Sequence, residues 1–297
     1  MICTLGDVLL DVVAVTREPV RHGTDTLTAT VAGAGGQAAN VAAWVVALGG
    51  RARLVAKRSR DLAGRMISED LARRGVEVCG PLVDGSTGVV VSVSESGGER
   101  TMLTDRGVCP LLAATELDDA WFAGCDRLHL PLYSMVDAPI RGAALAAAQR
   151  VPRVSVDLSS VSVLREIGAA EVRRLLGQLR PEVIFGTEPE MALALPATIT
   201  PVTAALDLEA LVTEAPDTQA PGTQALGTQA PGTQATVIVK LGAAGVRVNG
   251  EVYPARPAWP VDSTGAGDAF AAGFLCGGLD LALDAAARAV SRLGAMP

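Results

Sequence analysis

Short runs of β-branched residues alternate along this chain with stretches rich in Ala and Leu whose apolar residues recur at helical spacing. Strands that alternate with helices build a mostly parallel sheet that is flanked by helices. The predicted strands are residues 53–56, 88–94, 127–130, 153–157, 183–185 and 237–240, and the predicted helices are residues 38–48, 63–73, 138–150, 169–179 and 266–276. The pattern therefore predicts a doubly wound α/β fold, whose ligands bind beyond the carboxyl ends of the strands.

Two segments depart from this alternation of strands and helices. Residues 12–31 and 87–104 alternate apolar with polar residues, and the polar positions include Thr, Arg and Glu. Such alternation is typical of antiparallel strands with one solvated face. We expect the two segments to form a small β-sheet lid that projects from a single domain spanning residues 1–297.

Residues 216–235 hold four copies of a pentapeptide that ends in Thr-Gln-Ala. The repeat is rich in Pro and Gly and has few large apolar side chains, so it can contribute little to a core. A long loop also costs little closure entropy. The repeat is therefore predicted to be a flexible surface insertion.

The composition and the charge exclude several classes of protein. Hydrophobic residues make up 49% of the 297 residues, which is enough to bury a substantial core. A net charge of −7 argues against a nucleic-acid binder, because an acidic surface repels phosphate backbones. No apolar run is long enough to span a bilayer, so we expect no membrane partner. The five scattered cysteines lack CxxC spacing, and we expect reduced thiols without zinc in a cytoplasmic protein.

The sharpest chemical motif is Asp-Ser-Thr-Gly-Ala-Gly-Asp-Ala-Phe at residues 262–270, which opens a helical run. Glycines at the start of a helix expose backbone N–H groups, and the positive end of the helix dipole strengthens their attraction for an anion. Asp268 in the first turn could take a proton from a hydroxyl that attacks a phosphoryl group held there. On these residues alone, the motif fits equally well a glycine-rich turn in which Asp268 only caps the helix.

The same nine residues resemble the C-terminal Asp-Thr-Thr-Gly-Ala-Gly-Asp motif of the ribokinase-like (PfkB) carbohydrate kinase family. The resemblance implies that Asp268 is the catalytic base and that the backbone of three residues forms an anion hole: Gly265, Ala266 and Gly267. It also implies ATP as the phosphoryl donor, with Mg²⁺. Asp262 would lie near a monovalent cation such as K⁺ in those members that use one.

A second match to the family lies near the N-terminus. Residues 33–42, Gly-Ala-Gly-Gly-Gln-Ala-Ala-Asn-Val-Ala, are similar to the family's Gly-Gly-x-x-x-Asn-x-Ala stretch. Gly35 and Gly36 permit close approach of a polyol, and Asn40 offers it both a donor and an acceptor. Asp11 follows the first strand, where the family has its substrate-binding Asp. Taken alone, Asn40 also fits a helix cap and Asp11 a surface carboxylate.

The nucleotide side of the family is represented as well. Residues 237–246 are similar to the strand and turn that lie beside ATP, and three of them are implied to bind the nucleotide: Lys240, Gly242 and Gly245. The family's Asn-x-x-Glu motif, which is tied to magnesium and phosphate, reads Thr-Glu-Pro-Glu here. The resemblance places Thr187 at the nucleotide and Glu190 at the magnesium ion through water, although Thr187 replaces the usual Asn.

These matches run from residue 5 to residue 294, and they imply an ATP-dependent kinase that phosphorylates a primary hydroxyl of a sugar or sugar acid. A nucleoside or vitamin kinase of the same fold is an alternative, and so is a ligand-binding relative without turnover. The aromatic content of 3% favours a sugar, because a nucleobase calls for aromatic stacking. Apolar positions on the lid that are expected to be exposed, such as Val89 and Val91, predict a homodimer that pairs two lids.

Overall fold

The structure is a computed structural model that describes residues 1–16, 18–94, 100–195, 206–207 and 234–297. Its strands are β1 (Ile2–Leu5), β2 (Leu9–Thr16), β3 (Thr28–Gly35), β4 (Ala52–Val55), β5 (Arg58–Ser59), β6 (Glu77–Cys79), β7 (Leu82–Val83), β8 (Thr87–Ser94), β9 (Arg100–Gly107), β10 (Arg127–Pro131), β11 (Val154–Asp157), β12 (Val183–Thr187), β13 (Leu206–Asp207), β14 (Gln234–Lys240), β15 (Val246–Val248) and β16 (Glu251–Tyr253). Its helices are α1 (Gln37–Ala47), α2 (Leu62–Arg73), α3 (Ala138–Ala148), α4 (Val161–Ile167), α5 (Ala169–Leu179), α6 (Glu188–Ala194), α7 (Ala266–Gly277) and α8 (Leu279–Val290).

The large sheet has the strand order β16-β15-β14-β12-β11-β10-β1-β4-β6, and β13 pairs with β14. The strands from β14 to β6 are parallel, whereas β15 and β16 form an antiparallel edge. From β1 the chain adds β4 and β6 on one side, and later it adds β10, β11, β12 and β14 on the other. The order of the strands therefore reverses at β1, and a ligand crevice is expected beyond the carboxyl ends of the strands next to it.

Helices cover both faces of the large sheet, as the predicted doubly wound fold requires. One buried apolar cluster includes side chains of α3, α4, α5 and α6, and a second cluster includes side chains of α1, α2, α7 and α8. Trp44 on α1 is among the largest fully buried side chains, and its Nε1 donates a hydrogen bond to the carbonyl oxygen of Ala295 at 2.8 Å. The C-terminal residues are thereby fastened to the layer that contains α1 and α7.

A smaller sheet with the strand order β3-β2-β8-β9 confirms the predicted second sheet. Its outer pairs, β2 with β3 and β8 with β9, are antiparallel as expected. Its central pair, β2 with β8, is parallel, so the expectation of a wholly antiparallel sheet is wrong. Both central strands run in the same direction, and each one then pairs with an antiparallel neighbour that returns toward the main domain.

The structure differs from the sequence-based expectations at two further places. Cys3 and Cys125 form a disulfide with a Cα–Cα distance of 5.9 Å, so the prediction of five reduced thiols is wrong for this pair. The parallel pairing of β1 with β10 brings these two distant residues together. Gln234 and Ala235 begin β14, so the predicted insertion ends before them, and its residues 216–233 lie outside the described part of the chain. Within the described residues, no helix combines the length and the apolar character needed to cross a bilayer.

Candidate active site

The glycine-rich motif forms the start of α7, as the sequence predicted. Gly265 is the N-cap residue and has the left-handed φ of 75°. A Cβ at this position would lie 2.5 Å from Cα of Ala295, so both the backbone conformation and the available space require glycine. The first N–H groups of a helix lack acceptors within the helix. At Gly267 no side chain covers them. Ala266 differs, because its N–H donates to the carbonyl oxygen of Ser263 at 3.3 Å.

Asp268 lies in the first turn of α7 beside Asn40 of α1. Asn40 Nδ2 donates to Asp268 Oδ2 at 2.8 Å. Burial raises the pKa of Asp268 to about 7, against the hydrogen bond from Asn40, which lowers it. The negative charges of Asp157 and Asp11 raise this pKa further, and the charge of Lys240 lowers it. A carboxylate with a pKa near neutrality can both accept and release a proton at physiological pH.

The other side of Asn40 offers a hydrogen-bond acceptor. Asn40 is 5% exposed, and among the described residues its Oδ1 has no hydrogen-bond partner. A buried amide oxygen without a partner is costly, so a ligand hydroxyl that donates to it would be favoured. Asn40 is therefore placed to hold a ligand with one amide atom and Asp268 with the other.

Asp11 and the two neighbouring glycines lie where β2 pairs with β3. A Cβ at Gly35 would lie 2.0 Å from Cγ of Asp11, so the Asp11 carboxylate occupies the space that any side chain at Gly35 would fill. Gly36 has a φ of 92°, and a Cβ there would lie 2.6 Å from the carbonyl oxygen of Asp7. The structure thus brings Asp11, Gly35, Gly36 and Asn40 together, and Asp11 is near enough to Asp268 to influence its pKa.

A buried ion pair lies at the carboxyl ends of β11 and β14. Lys240 Nζ contacts Asp157 Oδ2 at 2.8 Å and Oδ1 at 3.1 Å, and Asp157 has no exposed surface. Burial alone would lower the pKa of Lys240, but Asp157, Glu190 and Asp268 together raise it above its ordinary value. A Cβ at Gly267 would lie 3.3 Å from Lys240 Nζ, so the ammonium group reaches the glycine-rich turn. Lys240 was predicted here, whereas Asp157 was missed.

Glu190 caps the start of α6 by binding the backbone of Thr187. Glu190 Oε2 accepts a hydrogen bond from the N–H of Thr187 at 2.7 Å, and Glu190 is 6% exposed. Thr187 is the N-cap residue in place of the Asn of the family motif, but its hydroxyl makes no cap hydrogen bond, so the side-chain cap comes from Glu190. Register pairs Thr187 with Lys240, so both residues lie at the same edge of the sheet as Asp157.

A cavity of about 480 Å³ adjoins the start of α7. Its lining is mostly apolar and includes the predicted nucleotide-side residues Lys240, Gly242 and Gly245. It also includes Ala266, Gly267 and Phe270 of α7. Gly245 has a φ of 102°, and a Cβ there would lie 2.0 Å from the carbonyl oxygen of Tyr253. Leu283 and Val290 of α8 close the opposite wall. Helices α7 and α8 therefore supply apolar wall to this cavity.

Asp262 holds the loop before α7 in place. Its Oδ1 accepts hydrogen bonds from the N–H of Thr264 at 2.9 Å and from its hydroxyl at 2.6 Å, and its Oδ2 accepts from the N–H of Gly294 at 3.0 Å. Among the described residues, no group of three or more His, Cys, Asp or Glu side chains is arranged to hold a metal ion.

Comparison with known proteins agrees with this geometry. The model of the pfkB family of carbohydrate kinases matches residues 1–296. The chain is 31% identical over 256 residues to a fructokinase of Klebsiella pneumoniae, which covers 82% of this chain and 76% of the relative. It is 27% identical over 281 residues to the ATP-dependent ribose-1-phosphate kinase of Halopiger xanaduensis, which covers 92% of this chain and 83% of the relative. The chain belongs to the pfkB family of carbohydrate kinases.

Solved structures show the same fold. A ribokinase from Thermotoga maritima superposes with a TM-score of 0.72 at 21% identity, over 100% of this chain and 95% of its own. An adenosine kinase from Sinorhizobium meliloti gives a TM-score of 0.75 at 21% identity, over 100% and 95% of the two chains. An Escherichia coli protein provisionally named ribokinase II, solved with ATP and Mg²⁺, gives 0.76 at 20% identity, over 99% and 94%. The chain is therefore a phosphotransferase of the pfkB family of carbohydrate kinases.

Proposed function

We propose that the protein is an ATP-dependent kinase that transfers the γ-phosphoryl group to a primary hydroxyl of a sugar or sugar acid. The observation that carries the proposal is the Asn40–Asp268 hydrogen bond beside the glycine-rich start of α7. It joins a carboxylate of pKa about 7 to an amide whose oxygen is still able to bind a hydroxyl. A positioned base next to an anion cradle is what phosphoryl transfer requires.

ATP binds in the cavity of about 480 Å³, with the purine between α8 and the turn at Gly242 and Gly245. Its phosphates extend toward Gly267 and Lys240, where the helix dipole and the ammonium group stabilise negative charge. The carboxylates of Glu190 and Asp157 lie near Lys240 and fit a magnesium ion that is bound through water. When bound, Mg²⁺ neutralises charge on the nucleotide phosphates. A monovalent cation, K⁺ among them, belongs beside Asp262.

The acceptor binds between Asp11, Gly36 and Asn40, beneath the smaller sheet. Asp268 takes the proton of the attacking hydroxyl while the oxygen of that hydroxyl bonds to the γ-phosphorus. The bond from the γ-phosphorus to the oxygen that bridges it to the β-phosphorus breaks, and ADP is released. The N–H groups of Gly265 and Gly267 stabilise the charge that develops on the phosphoryl oxygens, whereas the N–H of Ala266 already donates to Ser263. The smaller sheet acts as a lid, because water that reached the site would compete as an acceptor.

The walls around Asp11 support a sugar over a nucleoside. The described residues that line the cavity at Asp11 include no Phe, Tyr or Trp, so they offer no ring on which a base could stack. The test is a panel of pentoses, hexoses, sugar acids and nucleosides with ATP and Mg²⁺, with and without K⁺. We expect preferential consumption of ATP with a sugar or sugar acid. Preferential turnover of a nucleoside would contradict the proposed substrate class.

Asp268→Asn tests the catalytic base. The amide cannot take the proton, so we expect kcat to fall by about 10²–10⁴-fold with the preferred acceptor, while KM for ATP changes little. Asp280→Asn, on the exposed side of α8, serves as the matched control and should leave kcat unchanged. Turnover by Asp268→Asn close to that of the unaltered protein would remove Asp268 from the mechanism.

A further inference from the structure

A second, larger cavity of about 880 Å³ begins at Asp11. It is enclosed by residues 31–34 of β3, by the C-terminal end of α2, by α8 and by residues 291–297. Asp11 also belongs to the proposed acceptor site. The cavity is therefore continuous with that site, and it offers room for more of the acceptor than the reacting hydroxyl and its neighbours.

Arginine side chains dominate the charge of this cavity. Four of them line it, against two carboxylates: Arg73, Arg74, Arg288 and Arg292, with Asp11 and Asp70. Asp70 is already satisfied, because it accepts hydrogen bonds from the N–H of Ala34 and from Arg73 and Arg74, each at 3.2 Å. Arg74 also donates to the carbonyl oxygen of Pro297 at 2.6 Å. Arg73, Arg74 and Asp70 therefore have structural partners, whereas the described residues show no ion pair for Arg288 or Arg292.

Arg288 and Arg292 are exposed side chains whose guanidinium groups both lie beside the Trp44 ring. Among the described residues, neither guanidinium group has a carboxylate within 4.0 Å. The carboxylates of α8 that form ion pairs, Asp280 and Asp284, pair with Arg256 instead. Their Cζ atoms lie 5.6 and 5.8 Å from the centre of the Trp44 ring. Contact with the same indole keeps both positive charges at this wall of the cavity, four residues apart in the sequence. A pre-organised pair of guanidinium groups of this kind matches a bound oxyanion.

We propose that the acceptor is a phosphorylated sugar whose phosphate group binds to Arg288 and Arg292, with Arg73 as a third contact. This inference rests on the proposed function. A phosphate monoester carries close to two negative charges and three acceptor oxygens, which suits two uncompensated guanidinium groups better than a single carboxylate does. The sugar extends from these arginines to Asp11 and Asn40, so that its free hydroxyl faces Asp268.

The experiment compares matched acceptors, such as ribose with ribose 1-phosphate, fructose with fructose 6-phosphate, and gluconate with 6-phosphogluconate. ATP consumption is measured for the unaltered protein, for Arg288→Gln, for Arg292→Gln and for the double variant. Arg165→Gln, on an exposed position of α4 outside both cavities, is the control. Inorganic phosphate serves as a competing anion.

We expect the unaltered protein to have a higher kcat/KM for a phosphorylated acceptor than for its neutral counterpart or for the sugar acid. Each substitution should raise KM for that acceptor by about tenfold or more, because a charge-assisted contact is lost, while KM for ATP stays within about twofold. Inorganic phosphate should compete with the acceptor in the unaltered protein and lose that effect in the double variant. Arg292→Lys should recover part of the affinity, because it restores the charge.

Other outcomes separate this inference from the proposed function. Equal use of neutral and phosphorylated sugars, preference for gluconate over 6-phosphogluconate, or unchanged KM values in the double variant would overturn the phosphate site and leave the kinase assignment intact. If no acceptor is turned over, the kinase assignment fails. Calorimetric binding of the phosphorylated sugars then tests the phosphate site by itself. Binding that is lost in the double variant supports the site, and its absence in the unaltered protein refutes it.

Discussion

At the scale of single residues, the proposed proton transfer depends on the environment of Asp268. Burial favours its neutral form, and the hydrogen bond from Asn40 favours its charged form. The balance leaves the pKa at about 7, so that a substantial fraction of the carboxyl groups is ionised at neutral pH. Both opposing influences can be altered separately.

The first expectation at this scale concerns the pH dependence of catalysis. Asp268 must be deprotonated to act as a base, so kcat/KM should rise with pH and level off above a pH of about 7. Asn40→Ala removes the donor that lowers this pKa, and the rising limb should then move to higher pH. Gln37→Ala, on the same helix but outside the Asn40–Asp268 hydrogen bond, should leave the limb in place. An Asn40→Ala profile that moves to lower pH would contradict the assignment.

The same carboxyl group should destabilise the fold at alkaline pH. Its pKa is raised from the ordinary 3.8 to about 7, so the stability it contributes in neutral form is lost as pH rises through these values. Asp268→Asn cannot ionise and should melt at a higher temperature than the unaltered protein at about pH 8, with the difference closing by about pH 4. Thermal unfolding at both pH values checks this. A variant that is less stable at about pH 8 would count against a buried, strained base.

At the scale of secondary structure elements, one arginine anchors the small sheet to the main domain. Arg106 of β9 contacts both oxygens of Asp7, at 2.7 and 3.0 Å, and Asp137 at 2.5 Å. It also donates to the carbonyl oxygen of Tyr133 at 3.0 Å. Asp7 is 7% exposed, and burial raises its pKa despite the neighbouring guanidinium.

Arg106→Ala would leave the Asp7 carboxylate buried without its partner. We expect the free energy of unfolding to fall by about 3–5 kcal/mol at alkaline pH, with less loss at acid pH, where Asp7 is neutral. KM for the acceptor should rise more than KM for ATP, because the lid is less firmly held. Asp137 is more exposed, so Asp137→Asn should cost only about 0–1 kcal/mol. Urea unfolding measures both variants, and equal small losses would show that Arg106 is not an anchor.

The elements themselves were largely predictable, whereas their partners were not. The periodicity of the sequence predicted α5 at its observed bounds and α7 to within one residue, because local patterns specify local structure. Asp157 ends a predicted strand, yet its ion pair with Lys240 spans 83 positions and depends on strand order. The signal available for Asp157 was its position at the carboxyl end of a predicted strand, where ligands bind in this type of sheet. The parallel pairing of β2 with β8 and the Cys3–Cys125 disulfide were missed for the same reason.

At the scale of the whole molecule, the small sheet exposes apolar side chains at both of its edges. Val31 on β3 is 49% exposed, and Met102 and Leu103 on β9 are 46% and 64% exposed. Val89 and Val91, which the predicted dimer relied on, are half-buried instead. Apolar edge strands favour pairing with another chain. These residues support the proposal that two lids associate.

We therefore expect light scattering at micromolar concentration to give about twice the chain mass of 30.3 kDa. Leu103→Glu should give a single chain, because a charge cannot be buried in an apolar interface without a partner. Val252→Glu, at an equally exposed apolar position on β16, should leave the mass unchanged. A mass of one chain for the unaltered protein would exclude the dimer. It would not affect the lid assignment, which the Arg106→Ala variant tests separately.

The hydrogen bond between Asn40 and Asp268 joins residues that lie 228 positions apart. During synthesis at about 5–20 residues per second, the acceptor side of the crevice would wait on the order of tens of seconds for its base. The central strand β1 pairs with β4, which follows it by about 50 residues, whereas α1 gains its neighbour α7 only after residues 266–277 have been made. A chain that ends before residue 268 would lack both the carboxylate of the proposed base and the α7 residues that pack against α1, so we expect no phosphoryl transfer from it.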